Sequence, residues 1–123
     1  MKDKDKFSWK KRALSFRYAG QGFLSLVKTE HNSWIHITVA LCVIAAAIIW
    51  RISAIEWCLV LICIGSVIAA EAVNSAIEAL ADKISPQKDS LIGKAKDLAA
   101  FAVLFLSLMS VGVGLIIFIP KIF

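Results

Sequence analysis

A chain of 123 residues forms one domain at most, and its 59% hydrophobic content with a mean hydropathy of +0.78 excludes an ordinary soluble domain. The formal charge of +5 calls for no nucleic-acid partner, because basic residues beside a membrane follow from orientation and from attraction to anionic headgroups. An all-α membrane protein is the expectation.

The segment 1–30 comes first. It is too charged for a secretory signal and has no cleavage-site pattern. Within it, Phe7 to Thr29 reads as a basic amphipathic helix or pair of helices lying in the interface plane, with a break at Gly20 and Gly22. Phe16, Phe23, Leu24, Leu26 and Val27 supply the apolar side, and Lys10, Lys11, Arg12, Arg17 and Lys28 the basic one.

Three spans follow, at 34–50, 55–81 and 95–119, against the 20 or so mainly apolar residues that a bilayer requires. The first is short, and the second is long enough to tilt or protrude. Trp34 and Trp50 bracket the first span and Trp57 begins the second, as belts of interfacial aromatics do. Ser85-Pro86 closes the second span, Gln87 to Ile92 connects, and the last helix restarts near Gly93 and runs to Pro120. Its Ser107, Ser110, Gly112 and Gly114 suit close helix contacts. Cys42, Cys58 and Cys63 fall inside spans with no CxxC and no His/Cys cluster, so they read as small apolar packing residues.

Charge sets the orientation. Of fourteen basic residues, eight precede the first span, and Lys83, Lys88, Lys94 and Lys96 lie between the second and third. Only Arg51 and Lys121 fall on the other side. The excess of positive charge on the inner side puts the N-terminus and the 82–97 loop of this multi-pass protein in the cytoplasm and the C-terminus outside.

Glu71, Asn74, Glu78 and Asp82 stand at i, i+3, i+7 and i+11, which on a helix is one stripe. A carboxylate at membrane depth is costly and by default points to function. Two further polar groups belong to the same membrane surface: Glu30 with His31, Asn32 and His36, and Lys96-Asp97 where the third span begins. So many acids need a cation, protons or basic partners to coexist. Mg²⁺ carrying nucleotide phosphates would satisfy Glu30 and Glu78, since it takes oxygen ligands and commonly one or two carboxylates. Lys96 offers a charge to phosphate, Asn74 a hydrogen-bond donor, and Glu71 a base for a hydroxyl near the interface. Phosphoryl transfer needs positioning and charge neutralisation of this kind. Gly93-Lys94-Ala95-Lys96-Asp97 is no Walker A loop, lacking the upstream glycine and the Ser/Thr after lysine.

Taken singly, each group has a plainer reading. Glu71 or Glu78 alone is a satisfied interhelical contact, Asp82 and Lys83 are interface charges, Lys96 is an anchor, and His31 and His36 are interfacial polar residues. Only the combination points to an active site. A stripe of this type must face other protein, which favours an oligomer.

Glu71-x-x-Asn74-Ser75-Ala76-Ile77-Glu78-x-x-x-Asp82, followed by Gly93-x-Ala95-Lys96-Asp97-x-Ala99-Ala100, resembles the signature of the small bacterial diacylglycerol kinase family, which includes the undecaprenol kinases. The likeness runs from about Tyr18 onward. It implies a homotrimeric integral-membrane lipid kinase with an N-terminal amphipathic surface helix, three transmembrane helices, and sites shared between protomers. ATP is the implied co-substrate, Mg²⁺ the implied cofactor, and a membrane lipid alcohol (diacylglycerol or undecaprenol) the acceptor at the cytoplasmic face. By matching position, Glu71 corresponds to the catalytic base, with Asn74 and Lys96 beside it, and Glu30 and Glu78 to the metal ligands. Tyr18, Asp82, Lys96 and Asp97 correspond to nucleotide or active-site positions. Gln87 and Asp89 fall in the loop that contacts nucleotide in the family, although the Tyr-His often found there is missing. The block Glu30-His31-Asn32-Ser33-Trp34-Ile35-His36 is more similar to the undecaprenol kinase branch, and Trp34 stands where either branch commonly carries arginine. The rival readings are a small proton- or cation-conducting protein and a non-catalytic membrane assembly subunit.

Overall fold

The computed structural model describes residues 7–29 and 31–123, so Glu30, expected as a metal ligand, lies outside the described residues. Four helices follow one another: α1 (Trp9–Thr29), α2 (His31–Ile49), α3 (Ala54–Ile84) and α4 (Ser90–Ile122). The last three are each long and apolar enough to cross a membrane. Packing is mainly between the antiparallel α3 and α4; α2 lies against α3, and α1 touches both α2 and α3.

Several boundaries differ from those expected. No break occurs at Gly20 or Gly22, and α1 is one helix of 21 residues. Each glycine costs about 1 kcal/mol relative to alanine, which the helix-forming residues on either side offset. The last helix starts at Ser90 and not near Gly93, because Asp89 accepts hydrogen bonds from the Leu91 and Ile92 N–H groups at 2.9 and 3.1 Å and caps it there. It also runs past Pro120, and Phe123 N–H donates to Ile119 O at 3.0 Å. Among the described residues nothing lies within 4 Å of where a Cβ would stand on Gly112 or Gly114, so these glycines mediate no close helix contact there. Ser107 Oγ is turned back onto Val103 O at 2.7 Å.

The α2–α3 turn is built from local chemistry. Arg51 adopts φ 49°, Arg51 N–H donates to Ile48 O at 3.3 Å, and Ile52 N–H reaches back to Ala47 O at 3.2 Å. That pair of bonds is a Schellman motif, and Arg51 sits where glycine is usual. Ile52 then buries against Ala47, Val60 and Ile117, the main described core cluster. Ser53 starts α3 through a capping box, with Glu56 N–H donating to Ser53 Oγ and Ser53 N–H donating to Glu56 Oε1. The other oxygen of Glu56 accepts from Lys121 Nζ at 3.1 Å, so one carboxylate caps α3 and ties down the end of α4.

Helix lengths place the polar groups. At 1.5 Å per residue, the 19 residues of α2 measure about 28 Å, close to a hydrocarbon core, whereas the 31 of α3 measure about 46 Å. Both helices depart from the same turn, so the surplus of α3 lies wholly at its C-terminal end. Asn74, Glu78 and Asp82 ride on that overhang, and Glu71 lies within the length that α2 matches.

Candidate active site

The corner between α1 and α2 fixes the first wall. Two side-chain donors from the first turn of α2 reach carbonyls in the last turn of α1. Ser33 Oγ donates to Leu26 O at 2.8 Å, buried, and Trp34 Nε1 donates to Val27 O. With that turn held, the next one carries His36 over α3.

There His36 Nε2 stands 3.5 Å from Glu71 Oε2. Glu71 is 2% exposed and Asn74, one turn on, is 9% exposed. Asn74 Oδ1 and Ser75 Oγ are buried without a hydrogen-bond partner among the described residues. Glu78 is half-buried and Asp82 exposed. Lys96 of α4 closes the far side, its Nζ 2.9 Å from Asp82 Oδ1. The stripe on α3 is thus joined to α2 at Glu71 and to α4 at Asp82.

The remaining candidates are spread more widely. Asp97 is exposed next to Lys96. Asp89 serves as the cap of α4, and the Gln87 carbonyl accepts from Ser85 Oγ at 2.8 Å. Tyr18 is exposed on α1, with no ion pair or hydrogen bond to the α3 stripe among the described residues.

Next to this cluster lies an apolar groove of about 510 Å³ between α2, α3 and α4. Ile35, Val39, Val67, Val111 and Gly114 line it, and His36 is on its wall. Sequence reasoning passed over His36 as an interfacial polar residue. The spacing on α2 carried no signal for it, because its meaning comes from what α3 places opposite.

No group of three or more His, Cys, Asp or Glu able to hold a metal occurs among the described residues. Mg²⁺ needs no such cage, since one or two carboxylates and substrate phosphates suffice. The half-buried Glu78 and the unpaired carbonyl oxygen of Asn74 are oxygen donors of the type it takes.

The family model described as prokaryotic diacylglycerol kinase matches residues 17–118. The chain belongs to that family. An undecaprenol kinase of Bacillus subtilis (strain 168) is 36% identical over 107 residues, 87% of each chain. A diacylglycerol kinase of Synechocystis sp. (strain ATCC 27184 / PCC 6803 / Kazusa) is 33% identical over 108 residues, 87% of this chain and 62% of that one. No solved structure matches. Membership makes this chain a lipid kinase of the prokaryotic diacylglycerol kinase family, and the conducting and assembly-subunit readings give way to it.

Proposed function

We propose that the chain transfers the γ-phosphoryl group of ATP, with Mg²⁺, to the hydroxyl of a membrane lipid alcohol at the cytoplasmic face, working as a homotrimer with sites shared between protomers. The observation that carries this reading is a buried carboxylate, Glu71, held against His36 on the wall of an apolar groove. The groove suits a lipid tail, and the overhang of α3 and α4 beyond it holds the charges that suit a nucleotide. α1 lies in the interface plane, and its basic residues face anionic headgroups. The clustering of Lys83, Lys88, Lys94 and Lys96 on the overhang side supports placing that side in the cytoplasm.

Glu71 receives the acceptor's hydroxyl proton as the oxygen attacks phosphorus. Glu78, together with Glu30, would hold Mg²⁺, which when bound supplies charge neutralisation on the phosphates. Lys96 exchanges its contact with Asp82 for the phosphate oxygens, and Asn74 brings its buried amide to the same place. Tyr18, Gln87, Asp89 and Asp97 border the nucleotide. The undecaprenol kinase of Bacillus subtilis aligns over 87% of both chains, which supports a polyprenol over diacylglycerol as acceptor.

The test is a purified-protein assay with ATP and Mg²⁺ that presents undecaprenol and diacylglycerol in the same detergent. Phosphorylation of undecaprenol at the higher kcat/KM is the expected result, and Glu71→Gln should lower kcat by about 10²- to 10⁴-fold. Near-normal turnover by Glu71→Gln would remove the base from this reading.

A further inference from the structure

The groove and the carboxylate do not meet directly. Glu71 is absent from the groove wall, whereas His36 is part of it and also contacts Glu71. The Glu71 side chain is 3% exposed and that of His36 is 23% exposed. An acceptor whose tail fills the groove therefore meets the imidazole before it meets the carboxylate.

From this arrangement we propose that His36 and Glu71 act as a dyad, in which the imidazole takes the acceptor's proton and the carboxylate orients and charges it. The proposal rests on the kinase reading above and moves the acceptor of the proton from Glu71 to His36. One ring nitrogen, Nε2, faces Glu71 Oε2, and a neutral imidazole with its hydrogen there donates to the carboxylate. Its second nitrogen then keeps a lone pair for the hydroxyl. As the lipid oxygen bonds to the γ-phosphorus, the O–H bond breaks and its proton goes to that second nitrogen. The bond from the γ-phosphorus to the β–γ bridging oxygen breaks, and ADP leaves. The imidazolium, paired with the Glu71 carboxylate, passes one proton to interfacial water, and the neutral imidazole beside the carboxylate is restored. A base whose far side is held by a buried acid is the arrangement that nucleophile activation requires. The 3.5 Å separation is long for a hydrogen bond, and such contacts shorten when substrate closes the site.

The experiment compares His36→Gln and His36→Ala with the parent protein, using ATP, Mg²⁺ and a short-chain polyprenol in detergent micelles. Glutamine keeps a hydrogen-bond donor for Glu71 but cannot carry a proton. His36→Gln should lose about 10²-fold or more in kcat with KM for both substrates within about twofold. His36→Ala should regain part of its rate when free imidazole is added. If His36→Gln works within threefold of the parent, or if only KM rises, the imidazole is not in the proton path and the proposal is overturned. A loss in His36→Ala that imidazole leaves untouched assigns the residue to packing and overturns it equally. Glu71→Gln in the same assay separates the two claims. Full activity there brings down the kinase mechanism itself, whereas an inactive Glu71→Gln beside a fully active His36→Gln brings down the dyad alone.

Discussion

Replacing Ser33 with alanine tests how the α1–α2 corner is held. The Ser33 hydroxyl is buried and donates to the Leu26 carbonyl in the last turn of α1. Removing the hydroxyl takes away a buried interhelical hydrogen bond. Such a bond contributes about 0.5–1.5 kcal/mol net in a soluble protein, whereas hydrogen bonds between membrane helices average about 0.6 kcal/mol, because the unfolded chain finds other partners. The corner sits where α2 begins, at the rim of the apolar layer, so a value near 1 kcal/mol is expected, about fivefold in the unfolding equilibrium. The assay is a denaturant titration in mixed micelles followed by circular dichroism, with exposed Asn32→Ala as control. A loss confined to Ser33→Ala fits the reasoning. Equal stability of Ser33→Ala and the control would refute it and show that the corner is held by other contacts. Because the same turn sets the register of His36 over Glu71, the variant should also lower kcat.

Arg51→Gly should raise stability by about 1 kcal/mol, since the left-handed backbone there burdens any residue with a Cβ, and the same titration checks it. Glu56→Ala should melt below Glu56→Gln, and both below the parent, because glutamine keeps the acceptor for the α3 cap while losing the ion pair with Lys121; thermal unfolding in one detergent gives the order.

Three long apolar segments, and with them an all-helical chain able to cross a membrane, were legible in sequence because the need for twenty apolar residues is a property of the bilayer and not of the fold. The stripe of Glu71, Asn74, Glu78 and Asp82 was equally legible, since helical periodicity alone puts those residues on one face. The ends of helices were less so. Asp89 reads as a loop acid until its carboxylate is seen capping α4, and Gly20 and Gly22 read as a break until α1 is seen running through them.

What the chain dictated unaided is whatever depends on local spacing: the apolar spans and the acidic face. Tertiary structure alone decided that Lys96 closes on Asp82, and that His36 stands between Glu71 and an apolar groove. Those two results depend on how separate helices are set against one another. Residues 35 apart in sequence, such as His36 and Glu71, leave no periodic trace of their meeting, because that meeting is fixed by the turn at 50–53 and by the corner at Ser33.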